Sequence, residues 1–161
     1  TFFEVRGDIS GHKVCWLGDG NNVCHSYMNA ARLLDFELVV ACPGGYDPSP
    51  ALLEACGNHV TIERDPAVAV KQAHLLVTDV WASMGQEAEQ SERIGPLAPY
   101  QLNQALLDIA APDALYMHCL PAHRDEEITA ELMDAPDTVI WQEAENRLHA
   151  QKALMELLLS A

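Results

Sequence analysis

Positive charge is scarce in this sequence. Nine Lys and Arg stand against 24 Asp and Glu over 161 residues, a formal net charge of −15. A surface so short of cations cannot displace counterions from nucleic-acid phosphates, which removes that class of partner. The balance suits a cationic ligand, although an acidic surface more commonly just keeps a protein dispersed in water. Long apolar runs are missing as well, so no membrane-spanning segment is expected. There is no CxxC pair: Cys15, Cys24, Cys42, Cys56 and Cys119 are odd in number and scattered, which indicates neither a structural zinc site nor a redox pair. Several lie in apolar stretches, where a reduced thiol acts as a small hydrophobe, and the expected setting is a reducing one such as cytoplasm. The opening residues carry no secretory signal pattern. The first is Thr1, not Met, and a segment upstream is expected.

What is present is a hydrophobic fraction of 49%, enough for one domain with a real core. Short apolar runs at Lys13–Leu17, Leu38–Cys42, His59–Ile62, Leu75–Thr78, Ala114–His118 and Thr138–Trp141 read as six strands. Helical patterns fall between and after them, over Asn22–Asp35, Ser49–Cys56, Asp65–Gln72, Gln86–Arg93, Gln101–Ala110, Asp125–Met133 and Glu143–Leu159. Ser49-Pro50 and Asp65-Pro66 each pair a capping residue with a proline suited to a first helical turn. Such alternation predicts an α/β fold: a doubly wound, mostly parallel sheet with helices on both faces, Rossmann-like in outline. Sheets of this kind bind ligands at the carboxyl ends of their strands, near a switch in strand order. The stretch Gly85–Tyr100, rich in Glu, Gln, Gly and Pro, is either a lid or a solvated connection.

Four motifs follow predicted strands and therefore share one rim. In Gly18-Asp19-Gly20-Asn21-Asn22-Val23 the glycines allow a sharp turn into a helix. A dinucleotide fingerprint is opposed by the missing third glycine and by Ala41-Cys42-Pro43, which offers no acid to a ribose. Two readings stand: an Asn capping the helix, or an Asn amide turned to a small ligand. In Asp79-Val80-Trp81-Ala82-Ser83-Met84-Gly85, Asp79 is suited to an ammonium group and Ser83 to a further polar contact. The plainer reading makes Asp79 a helix cap and Trp81 core.

In Met117-His118-Cys119-Leu120-Pro121-Ala122-His123-Arg124, Cys119 lies close to two imidazoles. That suggests a nucleophile, a polar thiol touching substrate, or simply a buried hydrophobe. A metal is not expected, because adjacent His118 and Cys119 make poor ligand geometry and no second cluster supports them. The segment from Gln142 to Arg147 opens the last helix. Arg147 there offers a planar fork to a carboxylate or phosphate, or pairs with Glu143 one turn away.

Taken in order, these motifs resemble the ornithine carbamoyltransferase family, over nearly the whole chain. The combination of Asp79 through Ser83-Met84-Gly85 with His118-Cys119-Leu120-Pro121 is specific. Aspartate carbamoyltransferases resemble the fold but carry a different proline loop. The resemblance implies an ornithine-binding domain. Asn22 would hold the α-carboxylate or α-amino end of ornithine, Asp79 would pair with its α-ammonium, and Ser83 with the Met84 backbone would complete that grip. Cys119 would lie near the side-chain amine and help it lose a proton. With Leu120 it would border carbamoyl phosphate, and Arg147 would stabilise charge on the carbamoyl group. No metal or organic cofactor is implied.

Asp125 stands where the family commonly has Gly, which bears on the shape of that loop. The family's other half, which binds carbamoyl phosphate, has no counterpart in the sequence. The chain is therefore expected to be inactive alone, to need that N-terminal domain as partner, and to belong to a homotrimer or larger assembly. The final helix is expected to keep an exposed apolar face where the other half would pack. Three other readings remain: an amino-acid-binding or interaction module of the same fold, a transferase for N-acetylornithine or putrescine, and a nicotinamide-dependent oxidoreductase domain.

Overall fold

The computed structural model describes residues 1–82 and 90–160. Five strands form one sheet: β1 (Lys13–Leu17), β2 (Glu37–Ala41), β3 (Val60–Glu63), β4 (Leu75–Thr78) and β5 (Leu115–His118). Their order is β3-β2-β1-β4-β5, and every pairing is parallel. The chain thus runs outward from β1 to β3, then crosses back to place β4 on the other side of β1. That reversal lies between β1 and β4.

The helices are α1 (Phe2–Arg6), α2 (Asn22–Leu34), α3 (Pro50–Cys56), α4 (Pro66–Ala69), α5 (Gln90–Leu97), α6 (Gln104–Leu107), α7 (Ala130–Met133) and α8 (Ile140–Leu159). They cover both faces of the sheet, as expected of a doubly wound fold. On one face Val14, Trp16, Val40 and Val77 pack with Met28 and Ala31 of α2. On the other, Cys15, Leu17, Leu76 and Tyr116 pack with Ala69, Leu106, Leu132 and Met133. Alternate residues of β1 enter opposite cores, so its apolar run is continuous rather than alternating with polar residues.

Register sets the rim. Leu17 pairs with both Ala41 and Thr78, and Thr78 pairs with His118. The last residues of four strands therefore form one level row, and the segments after them emerge side by side. Gly18 turns out of β1 at φ 117, where an added Cβ would meet the Trp81 indole at 3.4 Å. Gly20 is more constrained: a Cβ there would lie 2.4 Å from the Pro48 nitrogen.

Several expectations are corrected. Thr138–Trp141 is not a sixth strand. The sheet ends at β5, and Ile140 already begins α8. Val139 and Ile140 are both buried while Trp141 is half exposed, an arrangement that suits a chain entering a helix rather than a strand alternating between two faces. Three expected helices shrink to single turns at α4, α6 and α7. Over 125–128 the chain instead folds back on itself through an Arg124–Ile128 bridge. Asp125 itself adopts φ 67, the left-handed conformation that glycine favours, and its side chain accepts the Ala130 N–H at 2.9 Å. The departure from Gly thus keeps the glycine-like backbone. The expected helix Gln86–Arg93 lies largely outside the described residues, and the observed α5 begins at Gln90.

Helix α8 has 20 residues and spans about 30 Å. Its first turns are anchored: Ile140 is buried, and Asn146 donates to Thr1 Oγ1 and Glu4 Oε2 of the N-terminal segment at 2.8 and 2.6 Å. Further on, Leu148, Leu154, Met155, Leu157, Leu158 and Leu159 are each more than half exposed. No helix among the described residues is long and apolar enough to cross a membrane.

Candidate substrate site at the carboxyl rim

Asp79 is the centre of the rim. It follows β4 directly at the strand-order reversal and is 8% exposed. Its Oδ2 accepts from Asn21 Nδ2 at 2.7 Å. Its Oδ1 accepts from the Val80 N–H at 2.8 Å and the Cys119 thiol at 3.1 Å. A carboxylate offers about four lone-pair sites. The described residues fill three, which leaves acceptor capacity for one more donor such as an ammonium.

Asn21 is a rim residue that sequence reasoning did not name. Its Oδ1 caps α2, accepting from Val23 N at 2.9 Å and Cys24 N at 3.0 Å. That cap fixes the amide so that its NH2 must face Asp79. The two readings of this motif are therefore both realised in one side chain. Asn22, the predicted ligand residue, is the exposed first residue of α2 and lies outside this hydrogen-bond cluster. The available signal was positional, since a cap residue precedes the helix rather than opening it.

Cys119 leaves β5 opposite Asp79. Burial, then the hydrogen bond to Asp79 and the negative charge of Asp79 and Glu143, push its thiol well above the ordinary range. Its thiol donates to Asp79 Oδ1, as a protonated thiol does. His118, completely buried, accepts the Leu120 N–H on Nδ1 at 3.0 Å. That assigns the proton to Nε2, which lies 3.0 Å from Glu127 Oε1. Asp79, His118 and Cys119 do bring ligand atoms within 4.8 Å of one another. In the structure they are joined by the Cys119–Asp79 hydrogen bond, and both His118 ring nitrogens are engaged, by Leu120 N–H and by Glu127.

Glu143 and Arg147 reach the rim from α8. Glu143 Oε2 accepts the His118 N–H at 2.8 Å, and burial raises its pKa against that bond. Arg147 stays exposed and points Nη1 at the Cys119 carbonyl, 3.5 Å away, a long contact that leaves the guanidinium fork free. Leu120 follows at φ 55 before a cis bond to Pro121.

Sequence reasoning also missed Arg93 of α5. It pairs with Asp19, donates to the Trp81 carbonyl and lies 5.1 Å from the Tyr46 ring centroid. Burial lifts Asp19 above the usual carboxylate range, and Arg93 opposes that lift. Arg93 thereby ties the segment after β1 to the segment after β4. Ser83 and Met84 lie outside the described residues. A separate cavity of about 600 Å³, lined by Arg6, Gln104, Asp108, Asp113 and Asp137 among others, opens at the opposite end of the sheet and contains none of the motif residues. The matched polar groups lie at the rim, and the chemistry is assigned there.

A parallel α/β sheet with a buried carboxylate, a thiol and an arginine converging at its switch point defines a small-ligand domain of the doubly wound class. Residues 10–158 match the family described as aspartate/ornithine carbamoyltransferase, Asp/Orn binding domain. The chain belongs to that family. It is 60% identical over 161 residues to an ornithine carbamoyltransferase of Methylococcus capsulatus, covering all of this chain and 54% of that protein. It is 59% identical over 159 residues to the anabolic ornithine carbamoyltransferase of Pseudomonas aeruginosa, covering 99% of this chain and 52% of the relative. In three dimensions it matches the ornithine carbamoyltransferase of Pyrococcus furiosus with a TM-score of 0.87 at 48% identity, over 96% of this chain and 51% of the other. The chain therefore spans about half the length of the curated relatives it matches.

Proposed function

We propose that this chain is the ornithine-binding half of an ornithine carbamoyltransferase, making citrulline and phosphate from ornithine and carbamoyl phosphate. The observation that carries the reading is the Asp79 carboxylate. It is buried at the switch point, held by three donors, and open to a fourth. Asp79 takes the α-ammonium of ornithine, and Asn21 and Cys119 keep the carboxylate aimed. Asn22, Ser83 and the Met84 backbone remain the proposed contacts to the α-amino-acid end.

Fixing one end of the amino acid sets its side-chain amine beside Cys119 and Leu120. Positioning of this kind supplies much of the rate in a two-substrate reaction. The amine must be neutral to attack the carbamoyl carbon. A tetrahedral intermediate forms, its C–O bond to phosphate breaks, and phosphate leaves. Charge growing on the carbamoyl oxygen needs a fixed donor. Arg147 is that donor, with its guanidinium free beside the Cys119 carbonyl. Cys119 acts as a neutral hydrogen-bonding group near the amine, consistent with its raised thiol pKa.

The carbamoyl-phosphate-binding domain is the proposed partner, and the apolar face of α8 beyond Arg147 supports that pairing. A cytoplasmic homotrimer or larger assembly serving arginine biosynthesis, with no cofactor, completes the reading. Asp79→Ala and Cys119→Ala in the joined enzyme test it. Each is expected to lower kcat/KM for ornithine by roughly 100-fold, with Asp79→Ala leaving the KM for carbamoyl phosphate little changed. Normal ornithine kinetics in both would overturn the site assignment.

A further inference from the structure

A second polar cluster lies behind the rim, on the turn that follows Pro121. Glu127 is completely buried. Its Oε1 lies 3.0 Å from His118 Nε2 and accepts the His123 N–H at 2.6 Å, while its Oε2 has no hydrogen-bond partner among the described residues. That oxygen faces His123 Nδ1 at 3.9 Å, and the same nitrogen is 4.0 Å from Glu126 Oε2. Both distances are too long for hydrogen bonds. The three ligand atoms all lie within 4.8 Å of one another.

We infer that His123, Glu126 and Glu127 form a binding site for a divalent transition-metal ion. Metal bonds of roughly 2.0–2.2 Å to nitrogen and oxygen place neighbouring ligand atoms about 3.4 Å apart in a tetrahedral shell. The two spacings from His123, 3.9 and 4.0 Å, exceed that by about half an ångström, and the two carboxylates lie within 4.8 Å of one another; movement of the partly exposed His123 and Glu126 side chains closes these gaps. An imidazole with two carboxylates suits zinc, cobalt or manganese. The buried ligand is already oriented from behind by His118 and by the His123 backbone, as the carboxylate in a metal shell is. Arg124, the nearest arginine along the chain, is paired with Asp134 at 2.8 Å. The net charge of −15 draws cations to the surface.

The site is distinct from the substrate rim but linked to it. Glu127 contacts His118, and His118 accepts the Leu120 N–H beside Cys119. An ion at Glu127 therefore pulls on a hydrogen-bond chain that ends where the side-chain amine of substrate is proposed to lie. The sequence reading expected no metal because it weighed only His118, Cys119 and His123. The two glutamates reach the cluster through the tight turn at Asp125.

The inference does not depend on the proposed reaction. Its test is titration of the chain with cobalt(II), followed by calorimetry and by optical absorption. One ion per chain is expected, without the charge-transfer band of a thiolate ligand. His123→Ala and Glu126→Gln should each weaken binding by roughly tenfold or more. Both residues are partly exposed, so these variants remain informative even if Glu127→Gln fails to fold. Absence of binding, unchanged affinity in both variants, or a thiolate band placing the ion on Cys119 would each overturn the site.

Discussion

At the rim, polar side chains are buried and matched: Asp79 holds three donors, Glu143 accepts the His118 N–H, and Asp19 pairs with Arg93. Along α8 beyond Arg147 the arrangement is reversed, with six large apolar side chains facing water. Asp79, Glu143 and Asp19 all find partners within this chain. Its caps, glycines and strand ends fix the geometry before any ligand arrives. The outer half of α8 carries an apolar surface that none of the described residues covers. The proposed function, an ornithine-binding half that works with a second domain, would use both kinds of surface.

The contrast makes mutations at the rim costly and mutations along outer α8 cheap. The largest effect is expected from Gly20→Ala. The new Cβ would sit 2.4 Å from the Pro48 nitrogen and 2.8 Å from the Asp47 carbonyl carbon, both backbone atoms. A loss of about 3 kcal/mol in denaturant unfolding is expected. Wild-type stability would mean that the loop at Pro48 yields freely and the rim is not preformed.

Asp79→Ala comes next, at about 2 kcal/mol, because it strands the Asn21 amide and the Cys119 thiol. Chemical denaturation of the single variant and of Asp79→Ala/Asn21→Ala separates the pair: the double variant should lose less than the sum of the two.

Alkaline pH gives a smaller effect of defined sign. Burial raises Cys15 to about 12 and Cys42 to about 11, from an ordinary value of 9.0. Above pH 9 the unfolded chain releases these protons while the folded chain retains them. Stability is therefore full below pH 9 and falls as pH rises through 9 toward 11–12. Thermal unfolding between pH 8 and 10.5 should show Tm decreasing, and a Cys42→Ala variant should show a shallower decline.

The smallest effect is expected from Leu154→Gln and Leu158→Gln. Each should change domain stability by less than about 0.5 kcal/mol. Both should still weaken association with a carbamoyl-phosphate-binding half, which sedimentation of the mixture would reveal.

The parts of this molecule that were legible in the sequence share a physical reason. β1, α2 and β4 are marked by dense local signals: continuous Val, Leu and Trp between a glycine turn and a capping Asn. Asp79 and Cys119 stood out because each follows a strand end, and a common register makes those positions neighbours, while Arg147 reaches the same rim from two turns into α8. What was not legible depends on tertiary packing. Thr138–Trp141 is apolar enough for a strand, yet the sheet ends at β5 and Ile140 enters a helix. Asn21 and Asn22 are chemically identical, and only the cap geometry decides which amide meets Asp79. Arg93 sits twelve residues beyond Trp81 and contacts Asp19 across the rim, a pairing with no local signature. Asp125 in the left-handed conformation reads from sequence as a lost glycine, although its backbone keeps the glycine-like shape.

Under the proposed function, the Asp79 rim is an amino-acid site that turns over only together with a carbamoyl-phosphate-binding half. Citrulline formation from ornithine and carbamoyl phosphate tests this most directly, measured with the chain alone and then with a family carbamoyl-phosphate-binding half. The account requires no turnover from the chain alone and turnover on mixing, lost again with Asp79→Ala. Turnover by the isolated chain would contradict it.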